Sequence, residues 1–285
     1  MSQRSATPGN DVQIYTPFRR GMPALGPYLR DLWGRRHFAL ELARTEIRTA
    51  NASTGLGQLW LVLNPLLLTF VYYMLTSILS SSAGGWEFLA HIMAGLFLFY
   101  FFSTSVTGGA SSILSSGRLI MNTAFPKMLL PLSIVMVSFM RFLPTLVIFA
   151  VVHTVADLPL DGDLLWGLIP LLEVVIFAAG LSMLFATLNL YFRDTKAFLP
   201  YVMRIWLYMS PILWYADAVA DRQYFSVLKF VNPMYPMVGA WSESVVNANR
   251  PELWMFGAGA AWALGALVLG GYALLSRERE FAVRL

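Results

Sequence analysis

Asn189–Tyr215 reads NLYFRDTKAFLPYVMRIWLYMSPILWY. An apolar run closes at Phe192, four polar residues follow (Arg193, Asp194, Thr195, Lys196), and a second apolar run opens at Ala197. The upstream run, Leu168–Phe192, is long enough to cross a hydrocarbon core of roughly 30 Å. A connection this short joins two helices that meet at one membrane face. It is either a plain turn between spans or a handle on which another protein pushes.

Composition agrees with a membrane frame. The 285 residues are 57% hydrophobic and 13% charged, with a mean hydropathy of +0.61. Soluble domains average about 45–50% apolar and about 25% charged. The long apolar runs call for helices rather than a barrel. Cysteine is absent, which excludes disulfides, thiol nucleophiles and thiolate metal sites. The three histidines (His37, His91, His153) are far apart in sequence, so no metal centre is expected.

Working outward, six spans are expected, at about 59–79, 88–110, 129–152, 168–192, 198–215 and 253–275. Asn64-Pro65 predicts a kink in the first. Residues 1–27, rich in proline and glycine and without an apolar leader, read as an irregular cytoplasmic tail. Residues 28–50 read as an amphipathic helix with Leu29, Leu32, Trp33, Leu40, Ala43 and Ile47 on one face. Asp31/Arg35 and Glu41/Arg44 are spaced to pair. A basic helix with Trp on its apolar side suits a membrane surface, the alternative being a soluble helix packed on a partner. Residues 111–128 contain serines, Gly117, Arg118 and Pro126 and are too polar to span; a short surface helix fits. The segments at 223–231 and 234–246, divided by Asn232-Pro233, are too short to span. They fit two half-helices that dip and return, or an interfacial loop. Glycines and alanines of span 6 (Gly257, Ala261, Gly265, Gly270, Gly271) permit close helix contact.

With the N-terminus inside, fifteen of the twenty Lys/Arg residues fall on cytoplasmic segments. The positive-inside rule therefore places both termini in the cytoplasm, with 111–128 and 193–196 on the same side. Arg141, Glu173 and Arg204 lie within spans, where a charge costs roughly 2.5–3.5 kcal/mol on insertion scales. They are expected to pair or to face a wet cavity. Aromatic rings pack on the C–H faces of sugars without fixing one sugar. Tyr72, Tyr73, Phe97, Tyr100, Phe101, Trp206, Tyr208 and Trp214 are candidates to line such a path. No GxxxxGK[ST] occurs, so this chain lacks a phosphate cradle of its own. Asp157, Asp161 and Asp163 read as a solvated acidic loop rather than a metal site.

Four segments resemble, in order, the type-2 ABC permeases that export polysaccharides: GLGQLWLVLNPLL (55–67), FPKMLLPLS (125–133), LNLYFRDTKAFLP with SPILW (188–214), and NPMYP (232–236). The likeness runs from about Arg44 onward and leaves out residues 1–27. It implies an all-α integral membrane protein with six transmembrane helices at 55–285, an amphipathic gate helix at 28–50 and outer re-entrant half-helices. It also implies a homodimer with two ATPase subunits, which carry ATP and Mg; this chain would hold no cofactor and catalyse nothing. Arg118, Phe125, Pro126, Lys127, Phe192, Arg193, Asp194 and Lys196 match the coupling segments that meet the ATPase. Asn232, Pro233 and Met234 match the outer gate. The implied substrate is a lipid-linked glycan (O antigen, teichoic acid or, by general likeness, cell-wall galactan), moved outward across the bacterial cytoplasmic membrane among its lipids; no nucleic-acid partner is expected. The rival readings are a type-2 permease for a small molecule or lipid, a membrane glycosyl- or acyltransferase, and a channel.

Overall fold

The computed structural model describes residues 23–49, 54–79, 85–215 and 223–285. The tail expected before residue 23 lies outside the described residues, as does most of the connection between the first two spans. Every regular element described is helical: α1 (Leu25–Gly34), α2 (Arg36–Thr49), α3 (Trp60–Leu79), α4 (Trp86–Ser115), α5 (Gly117–Asn122), α6 (Leu129–Val155), α7 (Leu168–Tyr191), α8 (Thr195–Met209), α9 (Gln223–Val231), α10 (Met234–Val245), α11 (Leu253–Arg277) and α12 (Phe281–Arg284).

Five of these are long and apolar enough to cross a membrane: α3, α4, α6, α7 and α11. The sixth expected span stops early. α8 has 15 residues, about 22 Å at 1.5 Å per residue. Ser210 then turns extended (φ −99°, ψ 151°), because Pro211 disfavours helical geometry in the residue before it. The opposite error occurs at α4, which continues to Ser115. Its serines stay helical by bonding the preceding turn, Ser112 Oγ to the Gly109 carbonyl and Ser115 Oγ to that of Ser112. The surface helix expected over 111–128 is therefore only the short α5. At Pro65 the helix is unbroken, with Thr69 Oγ donating to the Pro65 carbonyl at 2.9 Å.

α4 is the axis of the fold. Phe97, Phe101 and Phe102 are fully enclosed by α6, α7 and α8 partners, among them Phe139, Phe142, Phe177 and Trp206. Polar groups join α4 to α7: Ser182 Oγ donates to the Ser105 carbonyl (2.9 Å) and Asn189 Nδ2 to that of Ala110 (2.8 Å). α11 lies on α7 at backbone distance. Gly270 faces the Gly180 carbonyl, and Gly180 faces the Ala266 backbone. Of the small residues singled out in span 6, Gly270 makes this approach, whereas Gly257, Gly265 and Gly271 face open space. Gly259, which sequence reading passed over, abuts the Glu173 carboxylate.

The paired half-helices are present as α9 and α10. α10 is apolar on nearly every side and almost wholly buried within this one chain. Trp241 Nε1 donates to the Ala94 carbonyl (3.1 Å), and Ser242 Oγ lies 2.7 Å from His91 Nδ1. His91 is thus a buried strut between α4 and α10. The elbow between α9 and α10 is Asn232-Pro233. Asn232 Oδ1 accepts from Trp206 Nε1 (2.6 Å) and Met234 N (3.0 Å), and Nδ2 donates to the Met209 carbonyl (2.9 Å). The elbow is thereby fixed to the far end of α8, whose Trp206 packs edge-on against Phe102 midway along α4. Each buried polar group left without a partner costs about 1–3 kcal/mol. Asn232→Ala strands several at once. It is expected to lower the thermal midpoint of detergent-solubilised protein by several degrees, read by tryptophan fluorescence. An unchanged midpoint would contradict this role for the elbow.

Candidate coupling face and substrate cavity

The two polar segments singled out by sequence, around 118–127 and 192–196, come together at one end of the bundle. α4 and α7 pack side by side, so the α4–α5 and α7–α8 junctions emerge next to each other. Arg118, Arg193 and Lys196 line one groove of about 1010 Å³, floored by Leu114, Met121, Ala282 and Leu285. Phe192 projects from the turn, 67% exposed, and Arg193 and Asp194 are exposed beside it. An exposed phenylalanine between polar residues, with three cations at hand, suits a partner that brings apolar and acidic groups.

Phe125 and Pro126 are placed differently. Both are buried, with Phe125 against Phe38 of α2 at 5.6 Å between ring centres. The Lys127 ammonium lies over the outer side of Phe125. These residues support the groove from behind.

Sequence reading missed the segment after α11. Glu278, 9% exposed, accepts from the Lys127 backbone N–H at 2.7 Å. It thereby supplies an acceptor near the start of α6, where helix N–H groups lack partners. Tyr28 of α1 stands beside it and accepts from Met128 N at 3.4 Å. Burial first, then the Glu278 carboxylate, push the Tyr28 hydroxyl far above its ordinary pKa, so it stays protonated and can donate. Glu280 Oε2 accepts from the Tyr191 hydroxyl at 2.6 Å, and the Arg284 guanidinium lies 4.1 Å from the centre of the Tyr191 ring. Phe281 is completely buried, and Leu285 covers Gly117. Residues 278–285 therefore join α1, the 123–128 stretch, α5 and the end of α7. The only sequence signal was the alternating charge of REREF.

α1 and α2 carry the two expected ion pairs, Asp31–Arg35 at 2.9 Å and Glu41–Arg44 at 2.8 Å. The single helix expected over 28–50 breaks at Arg35, whose guanidinium donates to the Ala124 carbonyl. Leu32, Phe38, Ala39 and Leu42 pack inward. Trp33 stays 71% exposed under the Arg36 guanidinium, and Leu29 is exposed as well, leaving an apolar edge facing out.

The proposed sugar-path aromatics divide. Phe97 and Phe101 are core. Trp206 is a structural donor to Asn232, and Trp214 Nε1 donates to the Tyr208 carbonyl. Tyr73 hydroxyl accepts from Gly85 N. Tyr72 and Tyr100 border a cavity of about 300 Å³ between α3, α4 and α8, and the Tyr72 and Tyr208 hydroxyls are 3.3 Å apart. Of the intramembrane charges, Arg204 lines this cavity and Arg141 a smaller neighbouring void. Glu173 lies on the other side of the bundle against α11. Among the described residues no ion pair joins the three. Among the described residues no three of His, Cys, Asp and Glu come together to hold a metal.

No family model matches the sequence. Curated relatives do. The chain is 31% identical over 210 residues to an O-antigen export system permease protein, RfbA, of Klebsiella pneumoniae, covering 73% of this chain and 80% of that one. The chain belongs to the O-antigen export permease family. A second Klebsiella pneumoniae permease of the same name is 30% identical over 208 residues, covering 72% and 79% of the two chains. One from Myxococcus xanthus is 26% identical over 258 residues, covering 89% of this permease and 97% of its own length. This permease is a multi-pass, all-helical protein of the bacterial membrane and the transport subunit of its system, and the rival readings are not favoured.

Proposed function

We propose that this chain is the membrane subunit of an ATP-driven exporter that carries a lipid-linked polysaccharide from the cytoplasmic to the outer face. O antigen is the polymer named for its relatives, and teichoic acid and cell-wall galactan are of the same class. Two copies form the passage. Two separate ATPase subunits hold ATP and Mg and dock on the groove of Arg118, Arg193 and Lys196. That groove is cytoplasmic, as are both chain ends. α8, the 210–215 segment and the α9–α10 elbow together complete a sixth crossing, with the elbow as the outer gate. The broken helix at 25–49 lies along the inner membrane surface with Trp33 toward lipid.

The observation that carries this reading is the convergence, in a chain of this family, of both polar junctions on one basic groove. The three-residue turn, 192–194, leaves no slack, so a push on it passes straight into α7 and α8. Co-purification with a candidate ATPase subunit tests it. Arg193→Ala/Asp194→Ala is expected to lower complex yield and permease-stimulated ATP hydrolysis at least about tenfold, the loss of one or two charge-assisted contacts. Undiminished binding and turnover in the double variant would refute the coupling role.

A further inference from the structure

Resting on the exporter reading, we propose that α4, α6 and α8 form a site for the phosphate group that links lipid to glycan. Tyr100, Ser103, Thr104, Thr107 and Ser111 recur at three- and four-residue intervals and so share one face of α4. All are partly exposed, on a helix whose middle is mostly buried. Their face runs from midway along α4 toward the coupling end. Thr104 and Thr107 donate back to the Tyr100 and Ser103 carbonyls, which leaves their oxygen lone pairs free to accept.

An arginine flanks this face on each side. Arg204 comes from α8, in a cavity that also holds Tyr100, Ser103 and Thr107. Arg141 comes from α6, in a void that also holds Tyr100, Thr104, Ser138 and Thr145. Pro65 of α3 borders both spaces. Neither arginine joins an ion pair among the described residues, and no acidic residue lines either space. The Nε of Arg141 is buried without a hydrogen-bond partner. Two guanidiniums without an ion-pair partner among the described residues, beside a row of hydroxyls, are complementary to an oxyanion on a hydroxyl-rich molecule. The cavity of about 300 Å³ suits a headgroup and its first sugar. The apolar residues Leu68, Leu96, Phe99 and Met203 share that cavity and give the lipid chain a wall. A phosphate held in the larger cavity lies beside Arg204 on α8, the helix that begins at the 192–196 turn, with Arg141 next to it in an adjoining void of about 10 Å³ that also borders Tyr100.

The test is native mass spectrometry of the purified permease with a long-chain prenyl diphosphate, the corresponding prenol, and phosphatidylglycerol. The wild type is expected to retain the diphosphate at least about tenfold better than the prenol, and Arg141→Gln/Arg204→Gln to lose that preference. Arg141→Lys/Arg204→Lys keeps the charge and is expected to keep part of it. If the double Gln variant does not elute as a single species, Arg204→Gln alone carries the comparison, since that side chain lies on the exposed face of α8. Equal retention by wild type and Gln variant, or of prenol and diphosphate, overturns the site. Phosphatidylglycerol retained as well as the prenyl diphosphate, and lost in the same variant, would make this a general lipid contact and overturn the substrate assignment. Glycan display in cells separates the two readings. A wild-type copy that fails to restore export in a strain lacking this permease overturns the exporter reading, whatever the lipid does. Restored export by the double Gln variant overturns only the site.

Discussion

Gly270→Leu is expected to abolish the accumulation of folded permease. A side chain at this position would occupy the space of the Gly180 carbonyl oxygen. The obstacle is backbone inside a packed helix, so no rotamer change relieves it. Overpacking of ordinary cores costs about 1–3 kcal/mol, and more where neighbours are rigid. Separation of α7 from α11 also uncovers the contact of Gly259 with Glu173. In a lipid solvent, where helices associate mainly by close packing, that contact area has no substitute. Gly271→Leu, one residue further on, points into open space and is expected to accumulate normally. Size-exclusion profiles of detergent extracts check both. A monodisperse Gly270→Leu peak at wild-type height would refute the claim.

Glu278→Ala is expected to loosen the end of the bundle that carries the basic groove while leaving the spans inserted. The carboxylate is the acceptor for Lys127 N and the neighbour of the Tyr28 hydroxyl. Its removal leaves buried donors unmatched at about 1–3 kcal/mol each. By linkage to local opening, amide exchange across 117–128 should accelerate about ten- to hundredfold. Export should fall with it, because Arg118 would no longer be held in register with Arg193 and Lys196. Glu278→Gln keeps an acceptor and is expected to fall between. Exchange at wild-type rates in Glu278→Ala would show that the rest of the segment suffices.

Much of the frame could be read from residues alone, and the failures have physical reasons. Length and polarity located α3, α4, α6, α7 and α11, because a hydrocarbon slab of fixed thickness leaves little choice. The α9–α10 break was legible at Asn232-Pro233, as proline interrupts a helix wherever it falls. The same rule applied at Pro211 would have ended α8 on time, but the apolar run around it concealed the break. α4 outran its expected end because serines look like loop in sequence yet bond their own helix. The polar junctions around 118–127 and 192–196 were visible as short polar gaps. Their backing by Phe125 and Glu278 was not, since it depends on which distant segments fold against each other. The aromatic residues were the least legible. Phe97 and Phe101 are core and Tyr100 lines a cavity, a distinction set by which face of α4 meets α6 and α7.

α8 starts at the turn after Phe192 and finishes where Asn232 holds the Met209 carbonyl. One helix thus connects the basic groove to the elbow. If a partner pushes on the turn as proposed, α8 acts as a pushrod, and a shift imposed at Arg193 reaches Asn232 in the same movement.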